Sequence, residues 1–188
     1  MTVKEILKNV AIIINRLDIF NYLDKGISEN YTKVMEDVNT LVSCYNIISE
    51  EIATEFYKFK NEENINVSNG VIEYSDFKYN PIAIISVKNT KGVRVKAKVL
   101  PTCIHTFESE VVVEYYYVPS VKNLDDISNF TNTPIKKRVL SYGIATEFLL
   151  ITGAYEEASL WHEKYVDSLK NSLSKTKVGK VIGRVWKW

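Results

Sequence analysis

Between Tyr31 and Phe59 apolar residues recur every three or four positions almost without a break: Tyr31, Val34, Val38, Leu41, Tyr45, Ile48, Ile52, Phe56 and Phe59. That period lines one side of an α-helix and does not suit a half-buried strand, whose side chains alternate every two residues. The spacing predicts a helix of about eight turns, roughly 40 Å long at 1.5 Å per residue. Val42, Ile47 and Ala53 widen the stripe beyond a two-position coiled-coil seam, so this helix is expected to pack in a bundle.

A first helix is expected over about residues 3–15, because Thr2 and Glu5 have capping-box spacing and Ile6, Leu7, Val10, Ile13, Ile14 and Leu17 follow with helical period. A short second one follows from Leu17, capped by Asp18 and ended by Gly26. After Lys60 the pattern changes. Turn-forming Asn69-Gly70, residues 89–92 and residues 108–110 separate β-rich runs over residues 71–74, 82–87, 93–99 and 111–118. Val93-Arg94-Val95-Lys96-Ala97-Lys98-Val99 alternates, which predicts a small antiparallel meander with one wet face. Pro119 ends the last run, and residues 120–133, rich in Asn, Asp and Ser, read as a polar loop. Thr133-Pro134 predicts a cap with proline in the first helical position, opening a helix that Thr152-Gly153 stops. A last helix is expected over about residues 154–173, with Ala158, Trp161, Tyr165 and Leu169 on one stripe.

The expected fold class is therefore α+β: a helical bundle with a long central helix, an inserted antiparallel β meander and an extended C-terminal tail. Its divisions are residues 1–60 (bundle), 61–119 (β subdomain), 120–133 (polar loop), 134–174 (bundle) and 175–188 (tail). A chain of 188 residues can bury one substantial core, and its 46% hydrophobic content rules against a disordered class. A net charge of +1 gives no global attraction to nucleic acid or anionic lipid, so any such binding has to be local. No apolar run reaches the roughly 18 residues of a membrane span, and the N-terminus reads as a helix start rather than an export signal. Cys44 and Cys103 form no C-x-x-C pair, which fits a reducing compartment.

Little here suggests catalysis. His105, on an expected strand, and His162, on the last helix, have no second His or Cys at a metal-ligand spacing, so no metal, cofactor or catalytic triad is expected. Gly179 and Gly183 lack the Lys-Ser/Thr that a phosphate-binding loop requires. Glu50-Glu51, Asp125-Asp126 and Glu156-Glu157 are sequence neighbours, as expected of solvated faces. Lys88, Lys91, Arg94, Lys96 and Lys98 are candidates for a DNA-facing or tail-facing stripe; the competing reading is a wet sheet face neutralised by residues such as Glu110 or Glu114. Of Tyr115, Tyr116 and Tyr117 at most two can share one sheet face, and core or interface suits them better than base stacking. Past Lys170 the acids vanish. Lys177, Val178, Gly179, Lys180, Val181, Ile182, Gly183, Arg184, Val185, Trp186, Lys187 and Trp188 interleave cations with apolar residues and tryptophans, as expected of a segment that docks on a protein partner. A membrane-surface anchor, an RNA-binding arm and a fold-back onto the chain's own domain are the alternatives.

The chain resembles head-tail adaptors of tailed bacteriophages of Gram-positive hosts. The resemblance lies in the element order and in the runs Thr2-Val-Lys-Glu-Ile-Leu-Lys, Asp37-Val-Asn-Thr-Leu-Val-Ser-Cys-Tyr-Asn-Ile-Ile-Ser-Glu-Glu-Ile-Ala53, Tyr74-Ser-Asp-Phe77, Val111-Val-Val-Glu-Tyr-Tyr-Tyr-Val-Pro119 and Ala154-Tyr-Glu-Glu-Ala-Ser-Leu-Trp161. It implies a non-enzymatic virion protein of the neck, assembled in the host cytoplasm and commonly forming a ring of twelve subunits. Such a ring docks beneath the portal protein, presents its other face to a downstream neck or tail protein, and lets DNA pass without sequence-specific binding or membrane contact. Carried onto this chain, the resemblance assigns Val178 to Trp188 to portal docking, the bundle to subunit contacts, and the β region and polar loop to the tail side or the lumen. The alternatives are another neck ring such as a tail tubular protein, a nucleic-acid-binding accessory protein using residues 88–98 and the tail, and, last, a small enzyme.

Overall fold

The computed structural model describes residues 1–26 and 30–174. Its elements are α1 (Val3–Ile13), α2 (Leu17–Lys25), α3 (Tyr31–Glu51), a π-helical turn (Ile52–Phe56), β1 (Phe59–Asn66), β2 (Val71–Glu73), a 3-10 turn (Tyr74–Asp76), β3 (Pro81–Lys88), β4 (Ala97–Val99), β5 (Cys103–Thr106), β6 (Glu110–Tyr117), α4 (Lys137–Ile151) and α5 (Tyr155–Ser174). The fold is mixed α+β, with the β region inserted between helices in the chain. Two compact units divide it: Met1–Tyr45 with the chain from Lys122 onward, and Asn46–Val121.

In the helical unit, α1 begins with the capping box that Thr2 and Glu5 announce: the Glu5 N–H donates to Thr2 Oγ1 at 3.2 Å and the Thr2 N–H to Glu5 Oε2 at 2.8 Å. The next free donors of this helix end are taken by the polar loop, since the Val3 and Lys4 N–H groups donate to the Asp126 and Leu124 carbonyls at 3.0 and 2.9 Å. The loop is anchored again where the buried Tyr45 hydroxyl donates to Ser128 Oγ at 2.9 Å and accepts from the Asn129 N–H at 3.2 Å. Val3, Ile6, Leu7, Val10 and Ala11 of α1 are buried, as is most of α4, from Val139 through Thr146 and again at Phe148 and Leu149. α4 and α5 form a hairpin through Thr152–Ala154, with Gly153 in the left-handed region at φ 83°.

The β unit holds two three-stranded antiparallel sheets, ordered β1-β6-β3 and β2-β5-β4, in place of one meander. Alternation along β6 turns Val111, Val113 and Tyr115 into a core completed by Ile65, Ile72, Phe77, Val87 and Ile104. Glu114 lies on the other face of β6, ion-paired with Lys60 and, at 3.8 Å, with Lys88. Tyr117 shares the parity of Tyr115 and stacks on Tyr79 with ring centroids 4.3 Å apart, while Tyr116 faces the opposite way. Tyr115 and Tyr117 thus serve packing within this unit.

Several expectations need correction. The long helix stops well short of Phe59: Thr54 Oγ1 turns back onto the Glu50 and Glu51 carbonyls, the Tyr57 N–H bonds five residues back to Ile52 at 2.7 Å, and Tyr57 is extended. Phe59 opens β1 opposite Tyr117, so strand pairing overrides a spacing that continued the helical stripe. Asp18 does not cap α2; Arg16 occupies that position, and its guanidinium holds Asp18 at 2.7 Å and Asp37 at 2.6 Å. That ion pair holds the Asp18 carboxyl below its ordinary range. Thr133-Pro134 does not open α4. The Thr133 hydroxyl donates to the Phe130 carbonyl at 3.0 Å and accepts from the Ile135 N–H at 3.2 Å, closing a turn that buries Ile135, and the helix starts three residues after Pro134. The alternating run 93–99 is strand only over Ala97–Val99, where β5 supplies the pairing partner.

Candidate interaction surfaces

The cations expected on one wet face are divided by the pairing of the sheets. Lys88, on β3, lies 3.8 Å from both Glu62 and Glu114 and is neutralised there. Lys91 sits on the tight turn closed by hydrogen bonds between Asn89 and Val93 and by Gly92 at φ 78°. Arg94 bridges Lys88 outside any named strand. Lys98, on β4 of the second sheet, pairs across the strands with His105, and Lys96 stands just before β4 on the wall of the same cleft. The side chains of Lys91, Arg94, Lys96 and Lys98 are exposed, and none has an ion partner among the described residues. The acid-neutralised reading thus holds for Lys88 alone, and Glu110 pairs with none of the five.

Sheet register explains the cleft beside Lys96 and Lys98. Ile72 and Ile104 pair and point into the core, so their alternating neighbours Val71, His105 and Lys98 share the outer face. The Asn69-Gly70 turn and the Phe107–Ser109 turn wall this face, tied together where the Thr106 N–H donates to the Gly70 carbonyl at 3.0 Å and the Val67 N–H to the Ser109 carbonyl at 2.9 Å. The result is an open cleft of about 1000 Å³ with Ala97, Leu100 and Val67 among its lining, Lys96 and Lys98 as its cations, and His105 and the carboxylate of Glu108 also on its wall. Phe107, at its edge, is fully exposed. A cleft with this lining suits an apolar side chain accompanied by negative charge. Phe107 escaped the sequence analysis because it follows β5, a strand whose four residues give no alternating signal of their own.

A second surface, on the helical unit, also escaped it. Arg138 donates to the Tyr142 hydroxyl and its guanidinium lies 5.3 Å from the Tyr142 ring; Tyr142 packs on Trp161 at 5.3 Å, and Lys164 Nζ sits 4.0 Å from the Trp161 ring. Such cation–π ladders hold aromatic rings at a surface. Two shallow cavities of about 500 and 540 Å³ share Arg138, Tyr142 and Trp161, and a third of about 390 Å³ joins Lys136 and Arg138 to Ser168, Asn171 and Ser172. Lys136, Lys137 and Arg138 stand at the N-terminal end of α4, where the helix dipole disfavours cations. Lys136 and Arg138 lie beside the C-terminal end of α5, which has no basic residue in its last turn and whose dipole favours cations, offsetting that cost. The cation run before an apolar helix and the Trp161–Lys164 spacing were the available sequence signals.

His162 is exposed, with its ring 6.4 Å from that of Tyr165. Cys44 is buried, and burial followed by the nearby Glu147 charge pushes its thiol up to about 12. Among the described residues no cluster of His, Cys, Asp or Glu is arranged to hold a metal ion, and no helix is long and apolar enough to cross a membrane. The expected docking segment, Lys177 to Trp188 with Gly179 and Gly183, lies outside the described residues. No protein-family model matches the chain, and no curated protein matches it in sequence.

Proposed function

We propose that this chain is a head-tail adaptor of a tailed bacteriophage, a non-catalytic ring protein that docks on the portal, extends the DNA channel and offers a surface to the next neck or tail component. The observation that carries this reading is the order of elements: helices, a folded β insertion of two sheets, a pinned polar loop and a closing helical hairpin, the order that the sequence resemblance implies. The helical unit also leaves Ile12, Leu17, Ile151, Tyr155 and Leu160 more than half exposed. Isolated exposed apolar residues are ordinary. A concentration of them on helix ends favours burial against further copies, as a closed ring of heterologous contacts requires.

In this role the protein works by shape and assembly order, and the basic, apolar C-terminal segment is the portal anchor. Size-exclusion chromatography of the purified chain with portal protein from the same gene neighbourhood tests it, using the intact chain and one truncated before Lys177. Co-elution of the intact chain and its loss on truncation are expected; failure of both to bind portal overturns the proposal. A nucleic-acid-binding accessory protein is the second reading, favoured by Lys91, Arg94, Lys96 and Lys98, which have no ion partner among the described residues. It predicts DNA affinity of the free chain that falls steeply with salt.

A further inference from the structure

The cleft in the β unit and the α4–α5 corner of the helical unit are complementary in both charge and apolar character. The cleft presents Lys96 and Lys98 with Lys91 and Arg94 nearby in the chain, all exposed and without ion partners among the described residues, beside fully exposed Phe107; Glu108 also lines it, and two lysines against one carboxylate leave it net basic. At the corner, Ile151 and Tyr155 flank the turn, and Glu156 and Glu157 open α5. Leu160 lies four and three residues after these two acids, so the three share a helix face. Glu156 and Glu157 are exposed and likewise without ion partners among the described residues.

We infer that the occupant of the basic cleft is a second copy of this chain, whose acidic, apolar α4–α5 corner seats on it through Glu156, Glu157, Tyr155 and Leu160. The inference rests on the ring proposed above and names the surfaces that close it. Because the two patches differ, each copy uses one to hold the preceding copy and the other to hold the next, which is a heterologous contact that propagates around a ring. Apolar burial of Tyr155, Leu160 and Phe107 supplies the attraction, while the Lys–Glu pairing sets register and rejects mismatched docking, the usual division of labour at interfaces. Two like-charged surfaces meeting at this contact repel, so reversing either side is expected to break assembly and reversing both to restore it. Glu156 and Glu157 also complement the dipole at the start of α5, a local role that predicts no such restoration.

The test uses the full chain and measures its assembly by sedimentation velocity over a concentration series, alone and with portal protein. Lys96→Glu with Lys98→Glu, and separately Glu156→Lys with Glu157→Lys, should each raise the concentration for half-assembly at least tenfold, and the chain carrying all four changes should recover most of that loss. Circular dichroism identifies any variant that fails to fold. Carbodiimide coupling of a mixture of ¹⁴N- and ¹⁵N-labelled wild-type chains gives an independent readout: mixed-isotope cross-links joining Lys96 or Lys98 to Glu156 or Glu157 are expected in the assembled fraction. Assembly unaffected by either reversal, no recovery in the fourfold variant, or assembled material lacking those cross-links overturns this inference and leaves the ring standing. Wild-type chain that stays monomeric both alone and with portal overturns the ring itself.

Discussion

Besides its backbone bonds to the start of α1, the polar loop is anchored by one buried hydroxyl, and Tyr45→Phe removes that hydroxyl while keeping the ring. In the folded chain Tyr45 donates to Ser128 Oγ at 2.9 Å and accepts from the Asn129 N–H at 3.2 Å; Ser128 Oγ in turn accepts from the Phe130 N–H at 3.2 Å. Tyr45 is fully buried and Ser128 is 3% exposed, so water cannot readily replace the lost partner. A net hydrogen bond is worth about 1 kcal/mol, and stranding a buried donor adds about 1–3 kcal/mol. No cavity larger than one oxygen atom opens, so the expected loss is about 2–3 kcal/mol. For a chain of this size, that lowers the melting temperature by roughly 4–12 °C. Urea unfolding should show a lower midpoint with an unchanged slope. Hydrogen exchange at Asn129 and Phe130 should accelerate before that of α4. Ser128→Ala should cost less in the Tyr45→Phe background than in the wild type, because the two changes break the same bond. A loss below about 0.5 kcal/mol with unchanged exchange at Asn129 would refute the claim that this hydroxyl anchors the loop.

Three further outcomes follow from the β unit and the cysteines. Tyr115 is buried, donates to Glu63 Oε1 at 2.6 Å, and its hydroxyl is pushed up to about 12 first by burial and then by that carboxylate, above the roughly 10 of an unfolded tyrosine. The folded chain therefore holds this proton more tightly than the unfolded one: the contribution is complete below pH about 10 and is lost as pH rises toward 12. Tyr115→Phe should flatten that part of the alkaline stability profile, and an identical profile would contradict the burial argument. Gly70 has φ 75°, and a Cβ there would lie 3.2 Å from the Thr106 carbonyl, so Gly70→Ala should cost about 1–2 kcal/mol in a denaturation midpoint. Buried Cys44, with its raised thiol, should resist a disulfide reagent in the native chain and react on unfolding, while half-buried Cys103 reacts first; mass mapping of the labelled thiols checks the order.

The sequence was most informative where structure is decided locally. The Thr2–Glu5 box, Gly26 and Gly153 are capping chemistry contained within a few residues, and each ends or begins a helix as its spacing predicts. Strand β1 was not visible, and β5 was expected only as an unbounded strand around His105. Between Phe59 and Ile65, Lys60-Asn-Glu-Glu-Asn64 are weak strand formers, and the segment is held extended by pairing with β6, whose partner residues lie about fifty positions away. Conversely, residues 93–99 alternate well, but only three of them find a partner strand. The same dependence on pairing limited the site. Lys88 through Lys98 are identifiable as a cation-rich run, yet which of them is neutralised is decided by β6 and Glu114, and which line a cleft is decided by β5. Phe107 and the Arg138–Tyr142–Trp161–Lys164 ladder required three-dimensional contacts to emerge.

Electron microscopy of portal protein mixed with this chain tests the adaptor proposal most directly. An adaptor adds one ring of density coaxial with the portal and continuous with its channel, and chain truncated before Lys177 adds none. Portal particles unchanged by the intact chain, together with salt-sensitive DNA binding by the chain alone, would contradict the proposal and identify a nucleic-acid-binding accessory protein instead.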